Sequence, residues 1–332
     1  MSTRAALRAS SRILDVIIVG AGPAGLSAAL VLGRARRRVL ICDDGTPRSW
    51  AAKHMHGFVT CEGMSPDQFR SRARSQLKPY RNVRFTHTTV TKAVRLADST
   101  FRVSLGRKVT ARCRKLLIAT GLFDHLPRLA GIEELFGVSV FQCPYCDGWE
   151  MRDRPLAIYG KRQRGFEMAR ALTAWSRDLV LCTDGPSGYE ARTRRELARN
   201  SIELNEKRIL RLEGSAGRLR RIVFHDDSAI RRTALFFDTP SSAQSRLAES
   251  LGCLFTRNGG VRCGQYEATN VPGVFAAGNI IRDVQLSIVA AAEGARAAFG
   301  INRALTREDF ERRSTGRQVV VHPPLVAQSA RR

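Results

Sequence analysis

Residues 15–45 read DVIIVGAGPAGLSAALVLGRARRRVLICDDG: an apolar run (Val16 to Val19), a glycine-rich turn, a helical pattern, then a second apolar run (Val39 to Cys42) ending in Asp43 and Asp44. This order constrains the fold more than any other feature of the chain, because it is the order of a strand–helix–strand unit with parallel strands. Gly20, Gly22 and Gly25 hold the G-x-G-x-x-G positions. Gly20 allows the tight turn, Gly22 lets backbone amides approach a pyrophosphate, and Gly25 lets the helix pack close to the strand. Ala21, Pro23 and Ala24 complete the loop, and the helix start behind it holds the anion. An acid about 20 residues further on accepts hydrogen bonds from ribose hydroxyls; Asp43 and Asp44 both stand there, and the choice between them is open.

The unit is repeated. Moved on by 140 residues, the window reads LAIYGKRQRGFEMARALTAWSRDLVLCTDG, so that without a gap Gly20 falls on Gly160, Gly25 on Gly165, Cys42 on Cys182 and Asp44 on Asp184. A second strand–helix–strand unit follows. The position of Gly22 is taken by Arg162. A side chain there either swings aside or fills the space a pyrophosphate would use, which leaves two readings: a working nucleotide site, or a retained fold with a weakened one.

Between the units, 67–77 has helical spacing and 83–85, 90–94 and 101–105 alternate as short strands; Lys115 to Thr120 (KLLIAT) is a buried strand ended by Gly121. Past the second unit, 219–224, 234–237 and 272–278 read as strands, 284–302 as an alanine-rich helix and 311–332 as a loose basic tail. Length agrees with two domains, since 332 residues is about twice the usual domain size. At 43% hydrophobic and 26% charged the chain belongs with globular proteins, and no stretch approaches the roughly 18 apolar residues of a membrane span. The net charge of +25 makes acidic partners conceivable, but the arginines are scattered over the chain, so a nucleic-acid role is disfavoured. Residues 1–12 carry Arg4, Arg8 and Arg12 without an acid, and read as a disordered basic arm rather than a transit peptide. The 8 cysteines form no regular framework, which points to reduced thiols and a cytoplasmic setting.

One cysteine pair is the exception. Cys143-Pro144-Tyr145-Cys146 is followed by Asp147. Two intervening residues at a helix start bring the sulfurs within disulfide range, and the helix dipole lowers a thiol pKa. A metal reading would need a second ligand pair from Cys253 and Cys263 or from His54 and His56, and neither has zinc-site spacing. Asp147 is read either as a helix-capping acid or as a general acid/base beside the thiolate. The six histidines show no nucleophile or carboxylate spacing and are taken as structural or solvent-facing, although His54 and His56 follow the glycine-rich motif and are candidates to lie near a flavin.

The order of dinucleotide fingerprint, KLLIATG, CPYCDG, second unit and TNVPGVFAAGN resembles the low-molecular-weight thioredoxin reductases and related FAD-dependent pyridine-nucleotide disulfide oxidoreductases over about residues 13 to 305. The resemblance implies an α/β fold of two Rossmann-like domains, the nicotinamide domain inserted into the FAD domain. Residues 1–124 and 244–310 would form the FAD domain and 125–243 the inserted one. It implies that Gly20 to Gly25 and the acid after the second strand bind the ADP part of FAD, with Thr120 and Gly121 beside the same cofactor. Gly278 and Asn279 would face its ribityl and pyrophosphate, and the helix from Val284, with Gln285 near its start, would cap the isoalloxazine. Gly160, Arg162 and Gly165 would meet NADPH.

By the same resemblance electrons pass from nicotinamide to flavin and on to the Cys143–Cys146 disulfide. Cys146 would meet the flavin, Cys143 attack the partner's disulfide and Asp147 shuttle the proton. The partner would be a thioredoxin-like protein or a small-molecule disulfide, and the assembly a homodimer. Three features depart from the pattern: Asn279 stands for the usual Asp, Arg162 for a glycine, and Thr183-Asp184 for the basic signature that reads a 2′-phosphate, so NADH is also a candidate donor, the Asp184 carboxylate being suited to a plain ribose diol. Two alternatives stay open: a flavin-dependent dithiol oxidase using oxygen, and a flavin-bearing binding protein that meets nucleic acid.

Overall fold

The computed structural model describes residues 13–238 and 240–314; the basic arm at 1–12 and most of the expected tail lie outside the described residues. The first strand, β1 (Leu14–Val19), is buried along its whole length, as an apolar run without alternation requires in a sheet covered on both faces. The helix α1 (Pro23–Arg34) follows with proline in its first turn and turns Ala24, Leu26, Ala28, Ala29 and Leu32 inward. The chain then returns through β2 (Val39–Asp43), parallel to β1 with Val16 opposite Val39.

A capping box from Ser65 and Gln68 starts α2 (Pro66–Leu77), which leads to β3 (Val83–His87), parallel to β2. Next come β4 (Val90–Arg95), β5 (Phe101–Leu105) and the long β6 (Val109–Ile118). The first half of β6 pairs antiparallel with β5 and its second half runs parallel to β1, giving the order β3-β2-β1-β6-β5-β4. The sequence-expected strand at 115–120 is thus the buried second half of β6.

The chain crosses into a second unit at β7 (Leu122–Asp124). There the short helix α3 (Ile132–Leu135), β8 (Val140–Phe141) and the single turn α4 (Pro144–Asp147) precede the repeated motif: β9 (Leu156–Tyr159), α5 (Arg162–Leu172) and β10 (Leu179–Cys182). α6 (Ala191–Arg199) and β11 (Ile202–Asn205) extend it, and β12 (Ile209–Ser215), β13 (Arg218–Phe224) and β14 (Ala229–Arg231) form an antiparallel sheet of three. β15 (Ala234–Phe237) closes a five-stranded parallel sheet in the order β11-β10-β9-β15-β8. Each of the two larger sheets, the first mixed and the second parallel, has an apolar core on either face.

The return crossing is β16 (Ser241–Ala243), which pairs antiparallel with β7, Ser241 opposite Asp124. α7 (Leu247–Ser250) and β17 (Val274–Ala276) follow; β17 joins the free edge of β6 at Leu116–Ile118, making the first sheet seven-stranded. The last helix, α8 (Ser287–Ser314), begins three residues later than the expected Val284 and continues well past Asn302. Positions 311–314, expected in the tail, are therefore helical. Apolar periodicity ends near Leu305, but ion pairs hold the next turns: Glu308 meets Arg114 and Lys115, and Asp309 meets Arg37 and Arg114. A period-based reading cannot see charges that pair across 190 residues or more.

Candidate active site

A cavity of about 1360 Å³ opens along the carboxyl ends of β1 and β2 and continues to the face of the second unit that carries α4. In doubly wound sheets this is where nucleotides bind. The glycine loop forms one end: Gly20, Ala21, Gly22, Pro23 and Ala24 line it, and Gly25 is buried behind. Gly20 has φ +104° and its Cα faces the Ala119 carbonyl so closely that an added Cβ would lie 2.3 Å from that oxygen, so only glycine fits. At Gly22 an added Cβ would meet nothing within 4 Å, because that side faces the open cradle. The start of α1 has no side-chain cap and no acid in its first turn, which leaves its N–H groups and dipole free for an anion.

The two acids take different partners. Asp43 reaches back over the loop: one carboxylate oxygen accepts the Ala21 N–H at 3.0 Å, and the other meets Arg74 of α2 at 2.9 Å. Asp44 turns to its own loop and accepts the N–H and hydroxyl of Thr46. Both line the cavity, as do Thr120, Gly121, Gly278, Asn279 and Gln285. The Thr120 hydroxyl is buried without a partner, a polar atom left for something the cavity holds. These features suit the ADP half and the ribityl chain of FAD. Gln285 is also a framework residue, since Arg48 donates to its side-chain oxygen while gripping Asp124 of β7 with two bonds of 2.6 and 2.7 Å.

Cys143, Cys146 and Asp147 line the far end of the same cavity. The cysteines form a disulfide with Cα atoms 5.2 Å apart, inside the usual bridging range. Tyr145 between them is exposed and sets its edge on Trp175. The helix carrying them is a single turn: the Gly148 N–H makes its i→i−4 bond to the Pro144 carbonyl and the chain leaves at Trp149. A full helix dipole at the thiols, expected from the sequence, is therefore reduced to one turn of peptide groups. Burial raises the Asp147 carboxyl to about 7, with Glu150 adding to the rise and His56 opposing it. At neutral pH Asp147 can therefore give or take a proton. Among the other cysteines, burial pushes Cys42, Cys182 and Cys263 up to about 12, which keeps them protonated and inert.

His54 and His56, which the sequence leaves as structural or solvent-facing groups with a place near the flavin, line this cavity too. The sequence could not show the partner Glu150, which is more than 90 residues from His56 and in the other unit.

The second glycine loop is not part of this cavity: Gly160, Arg162 and Gly165 lie outside its lining. Arg162 takes φ +51°, the left-handed region a glycine would hold without strain. Its carbonyl accepts the Tyr189 hydroxyl at 2.8 Å, so Tyr189 lies over the start of α5. Asp184, which stands where a 2′-phosphate signature was expected, accepts the Ile209 N–H on one carboxylate oxygen at 2.8 Å.

Two dinucleotide-type units, one with an open phosphate cradle that shares its cavity with a disulfide, define a flavoprotein disulfide oxidoreductase. A family model described as pyridine nucleotide-disulphide oxidoreductase matches residues 14–294, and the chain belongs to that family. A relative in Arthroderma benhamiae, described as a probable thioredoxin reductase, is 29% identical over 335 residues, which span 90% of this chain and 81% of that one. The solved structure of a putative thioredoxin reductase TrxB from Bacillus anthracis matches with a TM-score of 0.85 at 31% identity, covering 89% of this chain and 99% of that one. That of HlmI matches with a TM-score of 0.89 at 33% identity, covering 92% and 97%. The protein is thus an oxidoreductase of the thioredoxin reductase type. Family membership implies FAD and a nicotinamide nucleotide as cofactors. Among the described residues no helix is long and apolar enough to cross a membrane.

Proposed function

We propose that this protein passes electrons from NADPH, through FAD, to the Cys143–Cys146 disulfide and on to a thioredoxin-like protein or a small-molecule disulfide. The observation that carries the reading is that the disulfide and the glycine loop of β1–α1 line one cavity. FAD, held by the α1 start, Asp43 and Thr120, supplies the two-electron carrier. In this reading Cys146 takes the electrons, Cys143 attacks the partner, and Asp147 holds the exchanged proton. The units on either side of β7 and β16 act as an FAD domain and an inserted nicotinamide domain, and the protein works as a homodimer in the cytoplasm. The relatives described as thioredoxin reductases support the thioredoxin-like partner.

A second reading runs the electrons the other way: a dithiol closes at Cys143–Cys146 and the flavin is reoxidised by oxygen. The strained Arg162 and the Tyr189 hydroxyl laid on its carbonyl favour it, because both hinder a nicotinamide. Anaerobic titration of the yellow protein with NADPH and then NADH separates the two. Bleaching at stoichiometric NADPH supports the first reading; bleaching only by dithiols, with recovery in air, supports the second. In either case Cys143→Ser should leave Cys146 as a thiolate against the oxidised flavin and produce a long-wavelength absorption band, whereas Cys146→Ser should not. Equal spectra would refute the assigned roles.

A further inference from the structure

Disulfide chemistry moves protons as well as electrons. Opening Cys143–Cys146 takes two electrons and two protons to give two thiols. A hydride donor brings both electrons and one proton, so the other proton must come from solvent; dithiol oxidation sends it back. Asp147 is next to Cys146 and only partly exposed, on the wall of the cavity; once a flavin and a disulfide substrate fill that cavity, it needs another route to water.

The loop between β2 and α2 offers one. His56 lines the cavity with Asp147 and stands between two further carboxylates. Its Nδ1 is 2.5 Å from Glu62 Oε1, and Glu62 is 62% exposed at its side chain and steadied by the Gly57 N–H at 2.8 Å. Its Nε2 is 3.8 Å from Glu150 Oε1, a gap that a small ring rotation or one bridging water spans. The other Glu150 oxygen is buried without a partner. His54, whose ring is 6.3 Å away, is occupied with the Gly63 carbonyl. His56 and Glu62 belong to the first unit and Asp147 and Glu150 to the second, so the cluster exists only when the two faces meet as they do here.

We propose that His56 is a positioning residue that carries the exchanged proton between water and Asp147, receiving it from Glu62 on Nδ1 and releasing it on Nε2 toward Glu150 and Asp147. The imidazole changes tautomer as the proton passes, and the reverse sequence serves dithiol oxidation. The proposal rests on Cys143–Cys146 being the redox disulfide. Glu62, Glu150, Asp147 and His54 are the titratable groups around the ring.

Two measurements test it. In the flavin-loaded enzyme, His56→Gln should lower kcat tenfold or more with KM for the disulfide or dithiol little changed, and His56→Ala should be partly rescued by added imidazole, more so as free imidazole rises with pH. A structural role for His56 would show no rescue. A kcat within twofold of the parent from pH 6 to 9, or His56→Ala indifferent to imidazole with flavin content intact, overturns the proposal. Should His56→Ala not fold, Glu62→Gln, an exposed change, must slow turnover in the same sense, and parental turnover there is equally fatal. The second measurement needs no flavin: iodoacetamide alkylation of the dithiothreitol-reduced pair across pH 5–9. Its midpoint should shift in His56→Gln, which removes the ring that hands protons on toward Asp147, and in Glu150→Gln, which removes the carboxylate facing that ring; unchanged midpoints in both refute the coupling. If neither Cys143 nor Cys146 is alkylated in the parent, the redox assignment itself has failed, which keeps the two readings apart.

Discussion

Asp147 is the residue at which position and chemistry meet most closely. An unfolded Asp loses its proton near 3.8, and the folded carboxyl keeps it up to about 7, because burial penalises the charged form. The linkage sign follows: both states hold the proton below 3.8, so there is no cost there. Between 3.8 and 7 the unfolded chain releases a proton that the folded chain retains, and stability falls as pH rises; above 7 the loss is complete. Asp147→Asn removes the cost, so its melting temperature should match or trail the parent's near pH 4 and exceed it at pH 8. A variant no more stable relative to the parent at pH 8 than at pH 4 would show the carboxyl to be well solvated. The same substitution should abolish the acid–base limb of the rate profile near pH 7. In the sequence Asp147 was either a cap or an acid; the burial that raises its pKa is not written in the local sequence.

At the scale of elements, the two glycine loops make opposite predictions. Around α1, Gly22 faces open space while a Cβ on Gly25 would lie 2.0 Å from the Gly20 carbonyl. Gly22→Arg should therefore fold with near-parental stability yet purify without flavin, whereas Gly25→Ala should cost about 1–3 kcal/mol through a backbone shift. Flavin stoichiometry and denaturant midpoints of the two variants check this, and a yellow Gly22→Arg would refute the cradle. Around α5, Arg162→Gly relieves a left-handed residue, worth about 1–2 kcal/mol, against about 0.5–1 kcal/mol of added chain entropy. The variant should be slightly more stable and bind a nicotinamide at least tenfold tighter, since two or three amide–phosphate bonds at about 1.5–3 kcal/mol each become available. Weaker binding in a titration would show that the guanidinium itself holds the phosphates. The glycines of both loops were legible in the sequence. Tyr189 over the second loop was not, since its bond to Arg162 crosses 27 residues.

Across the whole molecule, the two units are joined by β7 and β16 and locked to the first unit by two arginines. Arg48 holds Asp124 of β7, and Arg282 donates to the Ser241 carbonyl of β16 at 2.6 Å. The Asp124 side chain is only 11% exposed, so Arg48→Met leaves a poorly solvated carboxylate at the crossing. It should cost about 2–3 kcal/mol, below the 3–5 kcal/mol of a fully buried pair because Arg48 is partly solvated, and Asp124→Asn in the same chain should recover part of that cost. Urea midpoints of the two single variants and the double variant check the coupling; purely additive losses would refute it.

The sequence by itself determined the repeated strand–helix–strand units, the phosphate-loop glycines and the Cys143–Cys146 pair. Each is local: tight turns, close helix–strand packing and a two-residue cysteine spacing act within one turn or one unit, so their signatures are contiguous in the chain. Tertiary structure alone decided that the disulfide and the first glycine loop share a cavity and that Asp43 rather than Asp44 spans the loop. It also decided that His56 stands between Glu62 and Glu150, and that α8 runs on to Ser314. The physical reason is common to these. Each depends on charges and polar atoms brought together by packing of segments far apart in sequence, where desolvation sets their energy, and neither periodicity nor spacing records which distant group will be there.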